Sequence, residues 1–280
     1  MTGFAKVYKR ARPALGTWLE IKLKCLSPVD SDAPISPRAP VYDLMSEAFE
    51  LAQRLETTFS RFVQDGELGL LNSQKPGSLT VLSAEMAEVL GYAELIGFEA
   101  MPKCNHAQPR QCFHVETFLP SPHSKSVSWL RRECDGQFDL GGIAKGYIVD
   151  RLFEFLRAEV PQADLIVNAG GDLRCYGEHQ IELRIPTESD ELRLGLHVHN
   201  CALATSSLLA ENAAVGVASA RYVGAEDGNQ TGVRTVCILA NTCMTADSMT
   251  KRVLFQPGQA LSSGVEQVLM FDRSGMQVTP

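Results

Sequence analysis

Three short segments carry residue types whose spacing could do chemistry. In Asp139-Leu-Gly-Gly-Ile-Ala-Lys-Gly146 a strand end feeds paired glycines into the start of a helix. Glycines let the backbone approach a ligand closely, the first amides of a helix lack intrahelical partners, and Lys145 adds a full positive charge, so the segment could hold an anion such as a phosphate. The same residues also make a tight strand-to-helix turn with a solvated lysine, and spacing alone favours neither reading. Asn168-Ala-Gly-Gly-Asp172 lies inside a strand pattern, where glycine costs roughly 0.5–1 kcal/mol relative to alanine and marks either a β-bulge or a ligand lying against the backbone. Thr245-Ala-Asp247 reads as a helix opening, where an acidic residue complements the helix dipole by about 0.3–1 kcal/mol and a capping role accounts for it.

The elements that must position these segments follow from hydrophobic periodicity. TWLEIKLKCL alternates as a half-buried strand, and SPVDSDAPISPRAP after it is a Pro/Ser-rich loop. In VYDLMSEAFELAQRLETTF the residues Leu44, Ala48, Leu51, Ala52 and Leu55 recur at helical spacing, and FSRFVQDGELGLLN breaks the pattern as a loop. SAEMAEVLGYAELIGF gives a second helix, and residues 101–127 read as a loop or an inserted excursion. GQFDLGGIAKGYIVDRLFEFLRAEV moves from a short strand through the glycine turn into a helix with a buried stripe of Ile148, Leu152, Leu156 and Val160. ADLIVNAGGDLRCYG, QIELRIP, ELRLGLHVHN, CALATSS, AAVGVASARYV and TVCILA read as strands, and TADSMTKRVLF as a helix start. Helices interspersed among strands without regular βαβ alternation favour an α+β fold over a doubly wound sheet.

A chain of 280 residues, 45% hydrophobic and 21% charged, can bury a core large enough to enclose a dinucleotide. Its formal net charge of −7 argues against nucleic-acid partners, which are held by clustered Lys and Arg. There is no apolar run followed by a small-residue cleavage site near the start and no stretch long enough to span a membrane, which leads to the expectation of a cytoplasmic protein. Eight cysteines without a C-x-x-C pair then read as buried small hydrophobes with no disulfides. Cys104, His106, Cys112 and His114 could ligate zinc, although their spacing matches no standard site.

Together the segments narrow the choice. DLGGIAKGYIVDRL, LIVNAGGDLRCYG, ALATSS and CMTADSMTK occur in the order and approximate spacing of the FAD:protein FMN transferases, also called ApbE-type, and ALGT and FSRFVQDGELGLLN resemble further segments of that family. The resemblance spans about residues 14 to 255. It implies an ApbE-like α+β fold with antiparallel sheets, interspersed helices and an FAD cleft. Residues 1–280 would form one such domain, divisible into two subdomains, with 101–127 as a divergent loop or insertion. It also implies transfer of FMN from FAD to a threonine or serine of an acceptor protein, with release of AMP and commonly with Mg²⁺.

Carried over by motif, Asp139, Lys145 and Asn168 would contact FAD, and Leu15 and Phe62 would line the flavin. A carbonyl of Gly142 and the carboxylate of Asp247 would hold the metal, and Asp247 with Lys251 would be the catalytic candidates. Lys251 stands where the resemblance calls for a threonine ligand, and Thr250 is the nearest hydroxyl. The family's His-Ile-Ile-Asp-Pro segment is replaced by SARYVGAEDGNQTGVRTV, which has no histidine, and its Gly-Ala-Phe-Asp segment is absent. Two alternatives therefore stand beside transfer: a non-catalytic flavin-binding relative, and Mg²⁺-dependent hydrolysis of FAD. No acceptor motif is evident in the chain, so the flavinylated acceptor would be a separate protein.

Overall fold

The structure, a computed structural model, describes residues 4–27, 36, 38–98, 100, 112–118, 127–209, 232–255 and 261–278. In chain order its elements are β1 (Phe4–Ala14), β2 (Thr17–Ser27), α1 (Val41–Phe59), α2 (Glu67–Ser73), β3 (Leu79–Leu82) and α3 (Ala84–Ile96). They continue with β4 (Phe113–Phe118), β5 (Val127–Arg132), α4 (Ala144–Glu159), β6 (Asp164–Ala169), β7 (Asp172–Tyr176) and β8 (Glu178–Pro186). β9 (Glu191–His199), β10 (Ala202–Ser207), β11 (Thr235–Ala240), α5 (Cys243–Phe255), β12 (Val265–Phe271) and β13 (Gln277–Val278) complete the series. The chain divides into two compact units, Met1–Arg54 with Lys145–Pro280, and Leu55–Ala144. Helices and antiparallel sheets together make this an α+β fold.

The first unit is built on an eight-stranded sheet in the order β1-β2-β6-β7-β10-β11-β12-β13, antiparallel at every step. Two of its hairpins close in two residues. Leu15-Gly16 joins β1 to β2 with φ of 57° and 69°, and Gly170-Gly171 joins β6 to β7 with φ of 64° and 102°. Both central residues at positive φ match the right-handed twist of the flanking strands. Glycine meets that demand without strain at three of the four positions, whereas Leu15 carries a left-handed penalty of roughly 1–2 kcal/mol. Asn168-Ala-Gly-Gly-Asp172 is thus a hairpin turn, not a bulge within one strand.

Leu19, Ile21 and Leu23 alternate along β2 and are fully buried, as are alternate residues of β6. Helix α5 packs on β7, β10 and β11. β8 and β9 form a separate hairpin whose Leu183, Ile185 and Val198 join Leu173, Cys175 and Leu203 in one apolar cluster. The stripe Ile148, Leu152, Leu156 and Val160 of α4 is buried as its spacing requires.

In the second unit β3, β5 and β4 form an antiparallel sheet covered by α3. Ser83 caps α3 by accepting from Met86 N at 3.1 Å, and Gly97 ends it at φ 66°. The side chain of Arg132 is buried, donating to the carbonyls of Leu71 (2.6 Å), Cys134 (2.8 Å) and Gly136. These bonds satisfy a carbonyl of α2 and two of the irregular backbone after β5, which could not stay buried unpaired.

Four local expectations are corrected here. The segment FSRFVQDGELGLLN is not all loop, because Glu67–Ser73 is helical, with Leu68 and Leu71 buried. At Gly69 within it a Cβ would meet Gln64 O at 2.7 Å and Val63 O closer still, so the glycine serves close packing. Residues 101–127 contain the strand Phe113–Phe118, and Val127 begins β5. Gly136–Asp139 joins no ladder; Asn72 holds this stretch instead, donating to Phe138 O (3.1 Å) and accepting from Phe138 N (2.6 Å). Helix α5 begins at Cys243, two residues before Thr245. AAVGVASARYV lies outside the described residues. Among the described residues no helix is long and apolar enough to cross a membrane, and no two of the described cysteines are joined by a disulfide.

Candidate functional site

The chemistry-bearing residues of the first unit gather where α4 and α5 begin. Each helix lends a carboxylate to the other's N-terminus. Asp150 of α4 accepts from the amides of Cys243 and Met244, both at 2.8 Å, and these are the first two residues of α5. In return Asp247 of α5 accepts at Oδ2 from the amide of Gly146, the third residue of α4, at 3.2 Å. Both exchanges place negative charge on unsatisfied first-turn amides, where the helix dipole favours it. The cap of α5 itself is Thr242, whose Oγ1 accepts from Thr245 N at 3.2 Å, so the helix-opening role expected of Thr245 and Asp247 belongs to Thr242 and Asp150.

Gly146 makes this closeness possible. A Cβ there would lie 2.7 Å from Cys243 C and 2.8 Å from Met244 Cα, and closer still to Cys243 O, so only glycine lets the two helix starts touch.

Lys145 is not a solvated turn lysine. Its Nζ stands 2.8 Å from Asp172 Oδ2, with Asp172 only 1% exposed and 30% of the Lys145 side chain open. Burial works against the Lys145 charge, but the carboxylates of Asp172 and Asp247 outweigh it and raise its pKa. Burial, and then repulsion from Asp247, raise the pKa of Asp172 despite the pull of Lys145 and Lys251. Lys251 pairs with Asp247 Oδ1; Asp247 is fully buried and Lys251 nearly so. Two lysines and two aspartates thus form one neutralised cluster. Asp150 lies behind it, paired with Arg174 at 3.0 Å. Burial pushes the Asp150 carboxyl up to about 6, against the pull of Arg174 and the two amides.

Leu15 and Asn168 belong to the two tight hairpins of the same unit. β2 and β6 pair so that the turns are neighbours, and a Cβ on Gly170 would lie 2.9 Å from the side chain of Thr17. Asn168 Oδ1 accepts from Gly171 N at 3.0 Å, so the side chain closes its own turn. The other expected site residues fall in the second unit. Asp139 pairs with Arg61 at 3.0 Å and accepts from Gly141 N at 3.0 Å, which shapes the turn containing Gly142. The Arg61 guanidinium stacks on Phe62, 4.8 Å from the ring centroid, and Phe62 is 81% exposed.

The donors around Asp247 do not fit Mg²⁺. One carboxylate oxygen holds the Lys251 ammonium and the other the Gly146 amide. The Thr250 hydroxyl is buried, donates to Asp247 O at 2.8 Å and meets Ser206 Oγ at 2.7 Å. Among the described residues no group of three His, Cys, Asp or Glu side chains is placed to hold a metal. Of the four residues named for zinc, Cys104 and His106 lie outside the described residues, and the His114 ring faces Glu94 at 3.3 Å.

Sequence reasoning missed Asp172 as a site residue and Asp150 altogether. Asp172 closes the quoted NAGGD segment, and Asp150 directly follows the apolar run Tyr147–Val149. A charged residue beside such a run is the available signal, because a buried carboxylate needs partners.

An eight-stranded antiparallel sheet joined to a smaller α/β unit defines an α+β fold with solved counterparts among the flavin transferases. The flavin transferase ApbE of Vibrio cholerae matches with a TM-score of 0.69 at 19% identity, covering 98% of this chain and 96% of that one. The ApbE protein of Thermotoga maritima matches at 0.70 and 18%, with the same coverage. The apo flavinyl transferase ApbE of Pseudomonas stutzeri matches at 0.74 and 16%, covering 99% and 94%. At such identities these likenesses show the fold.

The chain belongs to the ApbE family, whose model matches residues 99–269. The FAD:protein FMN transferase of Treponema pallidum is 25% identical over 203 residues, which are 61% of this chain and 52% of that protein. The FAD:protein FMN transferase of Klebsiella pneumoniae is 41% identical over 59 residues, 21% of this chain and 18% of that protein. The chain therefore matches about half the length of the first relative and less than a fifth of the second.

Proposed function

We propose that this protein takes FAD as its substrate and transfers the FMN half to a threonine or serine hydroxyl of a separate acceptor protein, releasing AMP. The observation that carries this reading is the Lys145–Asp172–Asp247–Lys251 cluster at the start of α4, in a chain of the ApbE family. Lys145 is charged and partly open, so it can offset the charge of the FAD diphosphate. Asp172 and the Asp247–Lys251 pair hold that ammonium in place. Leu15, beside the Asn168 turn, would offer the flavin an apolar contact.

In the transfer, the acceptor oxygen forms the new phosphate ester as the bond to AMP breaks, and Lys145 offsets the charge that builds on the phosphate oxygens. One observation favours a second reading, a flavin-binding protein without transfer activity: Ser219–Val236, in place of the His-Ile-Ile-Asp-Pro segment, contains no histidine, so a catalytic or positioning group is missing.

The test is incubation with FAD and candidate acceptor proteins, with AMP followed by chromatography and the acceptor by mass. Equal amounts of AMP and flavinylated acceptor are expected. Bound FAD without AMP would establish the second reading, and AMP with free FMN would mean hydrolysis.

A further inference from the structure

We propose that the anion site of this protein works without a divalent cation, the Lys251 ammonium taking the metal's place beside Asp247. The ligand, a nucleotide bearing a diphosphate, follows from the proposed function; the cation argument stands on the cluster itself. A divalent ion at Asp247 would need an oxygen with free lone pairs and room for its own waters, because Mg²⁺ demands near-ideal octahedral geometry and gives up water reluctantly. Lys251 Nζ sits on Oδ1 with its positive charge, Gly146 N donates to Oδ2 at 3.2 Å, and Asp247 is fully buried, so a hydrated dication would have to displace the ammonium.

Access is limited as well: Asp247 is fully buried, beneath helix starts that touch at Gly146, where a Cβ would already stand 2.7 Å from Cys243 C. The hydroxyl nearest in sequence to Lys251, that of Thr250, faces Ser206 and the Asp247 carbonyl inside the core. Charge closes the argument. Lys145 and Lys251 balance Asp172 and Asp247 one for one, so an added dication would face two ammonium groups and no uncompensated carboxylate. Lysines serve phosphate sites as point charges, and here the partly open Lys145 meets the ligand while the more enclosed Lys251 holds Asp247.

Two measurements on the full chain test this. The first is calorimetric titration of the wild-type protein with Mg²⁺ alone, in which no binding heat is expected at millimolar metal. The second compares FAD affinity in EDTA with that in Mg²⁺. The wild type should bind FAD within about twofold in the two buffers, whereas Lys251→Thr, which supplies an oxygen and removes the competing charge, should bind at least about tenfold better with Mg²⁺. Lys251→Arg keeps the cation and should remain indifferent to metal, which separates loss of charge from loss of fold. A one-to-one Mg²⁺ isotherm for the wild type, or FAD held in Mg²⁺ and lost in EDTA, overturns the inference. Absence of FAD binding in both buffers sinks the proposed ligand, and Mg²⁺ titration of both proteins still decides the place of Lys251: an isotherm for Lys251→Thr with none for the wild type upholds it, and an isotherm for the wild type, or none for either, overturns it.

Discussion

Gly146→Ala tests the contact between α4 and α5 that organises the site. In an open helix the change is favourable, because alanine exceeds glycine in helix propensity by about 1 kcal/mol. At Gly146 the new methyl would lie 2.7 Å from Cys243 C and 2.8 Å from Met244 Cα, both backbone atoms that no side-chain rotation can move aside. Ordinary carbon contacts lie at about 3.5–4.0 Å, so the helix starts must separate by nearly 1 Å. Overpacking of this kind costs typically about 1–3 kcal/mol. Separation also stretches the bond from Gly146 N to Asp247, already 3.2 Å, and a bond to a charged acceptor contributes about 1.5–3 kcal/mol. The losses exceed the propensity gain, and a net destabilisation of about 3 kcal/mol is expected, or a fall in Tm of roughly 6–10 °C. Gly91→Ala in α3 is the control: a Cβ there meets nothing within 4 Å, so this variant should gain up to about 1 kcal/mol. Urea denaturation of both variants reads the difference. If Gly146→Ala is as stable as Gly91→Ala, the helix starts are not in contact and the carboxylate exchange is not as described.

Three further outcomes follow from the same geometry. Lys145→Ala should cost about 3 kcal/mol, because it leaves the buried Asp172 without its partner, and Lys145→Ala with Asp172→Asn should recover part of that loss; a solvated lysine would show neither effect. Asp150, raised from 3.8 to about 6, binds its proton more tightly folded than unfolded, so its contribution is fully present below pH 4 and is lost as pH rises through 6. Wild type should gain about 2.5 kcal/mol relative to Asp150→Asn as pH falls from 7 to 4 in denaturation curves; a pH-independent difference would contradict this. Leu15→Gly should raise Tm by relieving the φ of 57°, with a net gain of about 0.5–1 kcal/mol after glycine's greater unfolded-state entropy, while weakening FAD binding by removing an apolar contact.

Periodicity made the main frame of this fold legible. The stripe Ile148, Leu152, Leu156 and Val160 repeats at helical spacing and is buried, and the alternation in TWLEIKLKCL is that of β2. Glycine is harder to read: Gly170-Gly171 forms a hairpin where a one-dimensional pattern shows only an interruption within a strand, and Gly69 permits close packing inside α2. The chemistry was harder to read than the frame, because Lys145 with Asp172, and Asp150 with the amides of α5, are joined only by tertiary folding. Sequence marks the lysine and the two glycine pairs but cannot show that Asp247 already holds an α4 amide and a lysine. That arrangement depends on a helix contact 101 residues apart in the chain.

The central claim is that the partly open Lys145 reads the diphosphate of FAD, and the most direct test compares two flavins that differ in that group. Calorimetric titration of the wild-type protein in EDTA should show FAD binding at least about tenfold more tightly than FMN, a difference of about 1.4 kcal/mol. Equal affinity for the two flavins, or none for either, would contradict the assignment.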